Sequence, residues 1–332
     1  MKRISFLTRF FIVFTFVFLG CSQKKSDSKT QNNTVSTTIS VPVFNQDSAY
    51  SYVAAQVAFG PRVPNTKAHF QCGDYLVLQL KRYGWEVTEQ KFDATAFDGK
   101  QLKARNIIAS FNPSAQKRIL LASHWDTRPF ADQDQKDKEK PIDGANDGAS
   151  GVGILIELAR TIQNTSQKPT VGIDIIFFDV EDYGQPDYST LPQKPDSWCL
   201  GSQYWAKNKH KPNYSAYYGI LLDMVGATNA VFAMEGTSMY YASDVVRKVW
   251  NTAAQVGYGN HFHQAVVDNI IDDHYYVNSL AKIPMIDIIE YNTSGEQFFG
   301  NYWHTHNDNM NVIDRNTLKA VGQVLLHVVY AE

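Results

Sequence analysis

The chain has 332 residues, 44% of them hydrophobic and 19% charged, with a net charge of -2. That is enough apolar material for one large packed domain or two small ones, and it excludes a disordered chain. The balance of charge also lacks the basic surplus of a nucleic-acid binder. Three cysteines with no CxxC spacing exclude a cysteine-ligated zinc site.

The first residues read as a leader rather than as fold. Lys2, Arg3 and Arg9 are positive, and 10–19 is apolar apart from Thr15, too short to span a membrane. Leu19-Gly20-Cys21 then resembles the lipobox of bacterial lipoproteins, which implies removal of 1–20 and lipidation of Cys21. Ser22 is not an acidic retention residue, so the outer membrane is the expected home, with the protein facing the periplasm or the cell surface. Residues 21–40 are polar and read as a flexible tether. The rest, 41–332, carries no linker or repeat and is expected to form one domain, a monomer.

Within that domain, Ala49, Val53 and Val57 recur at helical spacing until Gly60-Pro61. Asn65 or Thr66 caps a second helix running to Tyr83. Strands are expected over 85–92, 104–111, 118–123, 173–179, 218–224 and 283–291, and helices over 151–162, 243–256 and 316–330. Short apolar strands alternating with helices predict an α/β domain, a central mixed, twisted sheet flanked by helices. An extracytoplasmic location permits a disulfide, but spacing leaves the pairing of Cys72 with Cys199 open, and Cys72 equally suits a buried helix position.

The chemistry clusters where buried strands end. The third strand runs into His124-Trp125-Asp126, the fourth into Asp179-Val180-Glu181-Asp182, and the fifth into Asp223. Ligands of open α/β sheets bind outside the carboxyl ends of the strands. Asn146-Asp147-Gly148-Ala149-Ser150-Gly151 is a small-residue loop entering a helix, and Trp303-His304-Thr305 lies in a polar loop before the last helix. Taken singly, Asp147 also suits a helix cap, Asp223 a strand-end turn and His124 a core position. Together, so many acids in one crevice could not all stay ionised without a cation. His124, Asp147, Asp182, Asp223 and His304 supply the nitrogen and oxygen ligands that zinc takes. Glu181, beside Asp182, is the natural acid or base. His69, His210, His263 and His327 show no informative spacing and are assigned to surface or packing.

The ordered set resembles the zinc aminopeptidase-like superfamily: a His-x-Asp, an Asn-Asp-Gly-Ala-Ser-Gly loop, an acidic pair, a later Asp and a C-terminal His-Thr. Within it, the chain is similar to the animal-type glutaminyl-peptide cyclotransferases in Phe59-Gly60-Pro61-Arg62, Leu222 to Ala227, Asp272-Asp273-His274 and Trp303-His304-Thr305. The resemblance implies a single zinc on Asp147, Asp182 and His304, with Glu181 as general base and acid. Asp223 and Asp272 would form an acidic network beside it, and Trp303 and Phe299 would line the pocket. The implied substrates are peptides and proteins with N-terminal Gln, and weakly Glu, which become pyroglutamate. The chain departs from the animal pattern twice. The acidic pair is Glu181-Asp182 rather than two glutamates, and 183–197 contains no tryptophan, so Trp198 is the substitute. The alternative is a two-zinc aminopeptidase, in which His124 and Asp223 hold the second metal and Asp147 bridges.

Overall fold

The computed structural model describes residues 40–293 and 298–332. Cys21, the leader and all of the tether except Ser40 lie outside the described residues. Helices α1 (Gln46–Val57) and α2 (Lys67–Arg82) precede a hairpin of β1 (Glu86–Thr95) and β2 (Gln101–Phe111). Then follow β3 (Arg118–His124), α3 (Ala149–Asn164), β4 (Gly172–Phe178), α4 (Leu200–Lys207) and β5 (Gly219–Asp223). The chain ends through β6 (Phe232–Met234), α5 (Gly236–Gln255), β7 (Phe262–Val266), the one-turn α6 (Asp273–Tyr276), β8 (Met285–Ile289) and α7 (Arg315–Tyr330). The six-stranded sheet has the order β1-β2-β4-β3-β5-β8. Its first two pairings are antiparallel and the other three parallel, so the expected mixed sheet is found.

Burial of both faces explains why the central strands read as unbroken apolar runs. Successive side chains of a strand point to opposite faces. Ile119, Leu121, Ile173, Ile175, Ile220 and Leu222 therefore join one core, with α1, α3, α5 and α7. Leu120, Ala122, Ile176, Phe178 and Leu221 join a second core, with Trp205 of α4 and Val277. Asn45 and Thr66 cap α1 and α2 through their side-chain oxygens. Gly84, at φ 74, lets the chain leave α2 in a left-handed turn that other residues resist.

Several expected boundaries move, and four short elements were not expected. β1 runs on to Thr95, because it pairs residue for residue with β2 over its whole length. α5 starts at Gly236 rather than near Ser243; Ala242 breaks its helical geometry, so a regular apolar spacing begins only after the kink. The two-stranded sheet of β6 and β7 and the short helices α4 and α6 carry too few residues for a periodic signal. Cys72 and Cys199 are both free and buried.

Candidate active site

In the parallel part of the sheet, β3, β4 and β5 end at one edge: His124 lies opposite Phe178, and Asp223 closes β5. A cavity of about 330 Å³ opens there. Asp147, Glu181, Asp182, Asp223, Asp272 and His304 line it. So do the three expected aromatics, Trp198, Phe299 and Trp303. His124 sits just behind, touching Asp147 and Asp223. A larger groove of about 450 Å³ lies between α2 and the β1–β2 hairpin. Lys103 pairs with Asp93 and Arg105 with Asp74 there, and the groove gathers none of the expected catalytic residues.

Local backbone geometry builds the site. Beyond β4 the chain turns sharply at Val180, at φ 57, a conformation that β-branched residues avoid. The buried carboxylate of Asp126 holds that turn, accepting the N–H groups of Glu181 (3.0 Å) and Asp182 (3.2 Å). The loop before α3 is tied in the same way. Asp308 accepts from the N–H groups of Asn146 (2.7 Å) and Asp147 (3.0 Å). Gly148, at φ 94, then enters the helix where a Cβ would lie 2.5 Å from the Asp126 carbonyl oxygen. The Asp147 side chain does not cap α3; it faces two histidines instead.

Asp147, Asp182 and His304 each bring a ligand atom within 4.8 Å of the others. His304 Nε2 lies 3.3 Å from Asp182 Oδ1 and 3.6 Å from Asp147 Oδ2. Both carboxylate oxygens of Asp182 are buried with no hydrogen-bond partner. Arg128 Nη1 stands 3.5 Å from Oδ1, too far for a hydrogen bond, and an orphaned pair is costly unless a closer cation completes it. Burial and the charge of Asp147 push the Asp182 carboxyl up to about 6. One imidazole nitrogen and two carboxylates are a fitting donor set for zinc. A second group, His124, Asp147 and Asp223, shares Asp147. There, His124 Nε2 lies 3.0 Å from Asp147 Oδ1 and 3.2 Å from Asp223 Oδ1. Burial opposes the imidazolium of His124, but Asp126, Asp147 and Asp223 outweigh it and raise its pKa well above the usual value. Burial, with Asp147 and Asp272 nearby, lifts the Asp223 carboxyl to about 7 against the pull of His124. Burial also raises Glu181 well above the ordinary range, reinforced by Asp272, Asp182 and Asp273.

The acids expected beside Glu181 gather there, with Asp272 acting on both Asp223 and Asp287. Asp223 bonds His124, while Asp272 caps α6 and lies 3.9 Å from the Cys199 thiol. On the pocket side, Trp198 takes a wall position despite its distance along the chain. Its ring lies parallel to that of His304, with centroids 5.9 Å apart. Gly184 makes this possible, since a Cβ there would fall 1.9 Å from the indole. Phe299 and Trp303 meet at 5.0 Å.

Several residues at the site escaped the sequence reading. Arg128, fully buried, forms a fork with Asp132 (2.6 and 2.8 Å), donates to the Asp182 carbonyl (3.0 Å) and lies 4.4 Å from the Trp198 ring centroid. Asp132 Oδ1 in turn lies 3.3 Å from His304 Nδ1 and orients that ring. Asp308 and Cys199 complete the set; Asp126 was read only as the Asp of His-x-Asp, without its hold on the Glu181–Asp182 turn. His69, assigned to packing, is buried, stacked on Trp125 and hydrogen-bonded to Asp179 at 2.8 Å. His210 is packed between Trp205 and Tyr214.

The model of Peptidase family M28 matches residues 106–329. Among solved structures, the chain is similar to a Zn-dependent exopeptidase from Parabacteroides distasonis, with 56% identity, a TM-score of 0.86 and coverage of 88% of this chain and 100% of that one. It is likewise similar to the Bacteroides thetaiotaomicron glutaminyl cyclase bound to N-acetylhistamine, with 54% identity, a TM-score of 0.86 and the same coverage. The glutaminyl-peptide cyclotransferase of Dictyostelium discoideum is 26% identical over 301 residues, 79% of each chain. The chain belongs to peptidase family M28 and shares it with glutaminyl cyclases.

Proposed function

We propose that the protein is a glutaminyl-peptide cyclotransferase with one catalytic zinc, acting on N-terminal Gln of peptides and proteins. The observation that carries this reading is the pairing, in one aromatic-walled cavity, of the clustered donors Asp147, Asp182 and His304, with both Asp182 oxygens lacking a hydrogen bond, and a buried Glu181. Its similarity to glutaminyl cyclases over their whole length supports the same assignment.

Zinc bound by Asp147, Asp182 and His304 would supply Lewis acidity toward the side-chain carbonyl of the substrate. The protein's own groups do the rest. Trp198, Phe299 and Trp303 confine a short N-terminal side chain and exclude water, so the α-amine is held near its own γ-carbonyl. The α-nitrogen bonds to that carbon, and the bond from the carbon to the side-chain nitrogen breaks. Glu181 takes a proton from the attacking amine and delivers it to the departing nitrogen, which leaves as ammonia. A carboxyl whose pKa is raised by burial suits both halves of that exchange.

Glu181→Gln keeps the shape and removes the proton carrier. Turnover is expected to fall by roughly 100- to 10,000-fold, with zinc content unchanged. A variant that keeps most of its activity would remove Glu181 from the reaction. A two-zinc aminopeptidase is the second reading, favoured by the His124–Asp147–Asp223 group and by the similarity to an exopeptidase. It requires a second equivalent of metal and release of a free amino acid.

We place the protein outside the cytoplasm, anchored to a bacterial membrane by lipidated Cys21 and acting as a monomer. The leader 1–20 and the polar stretch before Val41 are the features behind that assignment. Among the described residues no helix is long and apolar enough to cross a membrane.

A further inference from the structure

Cys199 has no part in the scheme above, yet it touches the residue at its centre. It lies just before α4 and is fully buried. Its backbone is left-handed, at φ 56, as is that of Val180 at φ 57 across from it. Neither residue adopts that conformation without cost. Two backbone bonds clasp the strained pair: Cys199 N–H donates to the Glu181 carbonyl and Leu200 N–H to the Val180 carbonyl, both at 2.9 Å. The clasp puts Cys199 Sγ 3.1 Å from Glu181 Oε1 and 3.9 Å from Asp272 Oδ1. The thiol therefore stands between two acids that repel each other.

We infer that Cys199 is a positioning residue, whose S–H donates to Glu181 Oε1 and fixes the carboxylate in the conformation that faces the substrate cavity. Burial, with Glu181, Asp273 and Asp272 alongside, raises the thiol pKa well above its usual value, so the sulfur keeps its proton and stays a donor. The strained clasp has a purpose on this view: it brings a hydrogen-bond donor to a carboxylate crowded by Asp182, Asp272 and Asp273. This inference rests on the reading that Glu181 carries the proton.

The test uses the zinc-loaded protein and a Gln-initiated peptide. Cys199→Ala removes the donor, and Cys199→Ser restores it. A donor to a charged group is expected to be worth roughly a ten-fold change in kcat, with KM and zinc content unchanged. The serine variant should recover most of that loss. In the Glu181→Gln background, Cys199→Ala should lower the residual rate no further. Wild-type kcat in the alanine variant, equal impairment of the serine variant, or an equal loss in both backgrounds would each overturn the inference. These outcomes separate from failure of the underlying reading, which shows as an active Glu181→Gln protein.

Discussion

Two buried aspartates at opposite ends of β4 make an instructive pair. Asp174, near the start of the strand, is saturated. Its oxygens accept from Ser110 Oγ (2.6 Å), Arg118 Nη2 (2.8 Å), Arg118 Nε (2.8 Å) and Tyr214 OH (2.8 Å). Asp182, four residues beyond the strand's other end at Phe178, is as deeply buried and has neither oxygen bonded. A buried carboxylate whose lone pairs are all met is a joint in the fold. One left without a hydrogen bond, with His304 at 3.3 Å, Arg128 at 3.5 Å and other acids around it, is open to a metal. Burial alone does not distinguish this pair; the satisfaction of their oxygens does.

Substitutions should split the pair cleanly. The largest effect is expected from Asp182→Ala, which removes a metal ligand: cyclase activity should fall by about 1,000-fold or more, with zinc lost on dialysis. Asp174→Ala should do the reverse. It strands the Arg118 guanidinium, costs about 3–5 kcal/mol of stability and lowers the thermal midpoint by roughly 10 °C, with zinc content and KM intact. The smallest effect concerns the metal-free protein. The Asp182 carboxyl is raised to about 6 from 3.8, so its ionisation works against folding as pH rises through that interval. Asp182→Asn should therefore raise the midpoint of the metal-free protein at pH of about 8, and the gain should fade toward a pH of about 4. Loss of zinc in Asp174→Ala, or a large drop in stability in metal-free Asp182→Asn, would erase the contrast.

How much of this was readable beforehand depends on what each residue answers to. His124, Asp182 and Asp223 were legible because a polar group straight after a buried apolar run has a known place in this architecture, the carboxyl end of the sheet. Asp147 and His304 were legible through their small-residue and Trp-His-Thr loops. Arg128, Asp132 and Asp308 were not. They lie in loops without periodicity, and they matter through contacts with residues as distant in sequence as Asp182, His304 and Asn146. Cys199 was hidden for a related reason: its role depends on a left-handed backbone that a lone cysteine does not announce. In the fold, the central strands were readable from unbroken hydrophobicity. β7 was not, because most of its residues are exposed.

The central claim is that this cavity closes a ring rather than hydrolysing a peptide bond. Residues 41–332, incubated with a Gln-initiated peptide and followed by mass, test it most directly. Loss of the mass of one ammonia, abolished by a chelator and restored by one equivalent of zinc, is the predicted result. Loss of a whole N-terminal residue, supported only by two equivalents, would contradict the claim and assign His124, Asp147 and Asp223 to a second metal.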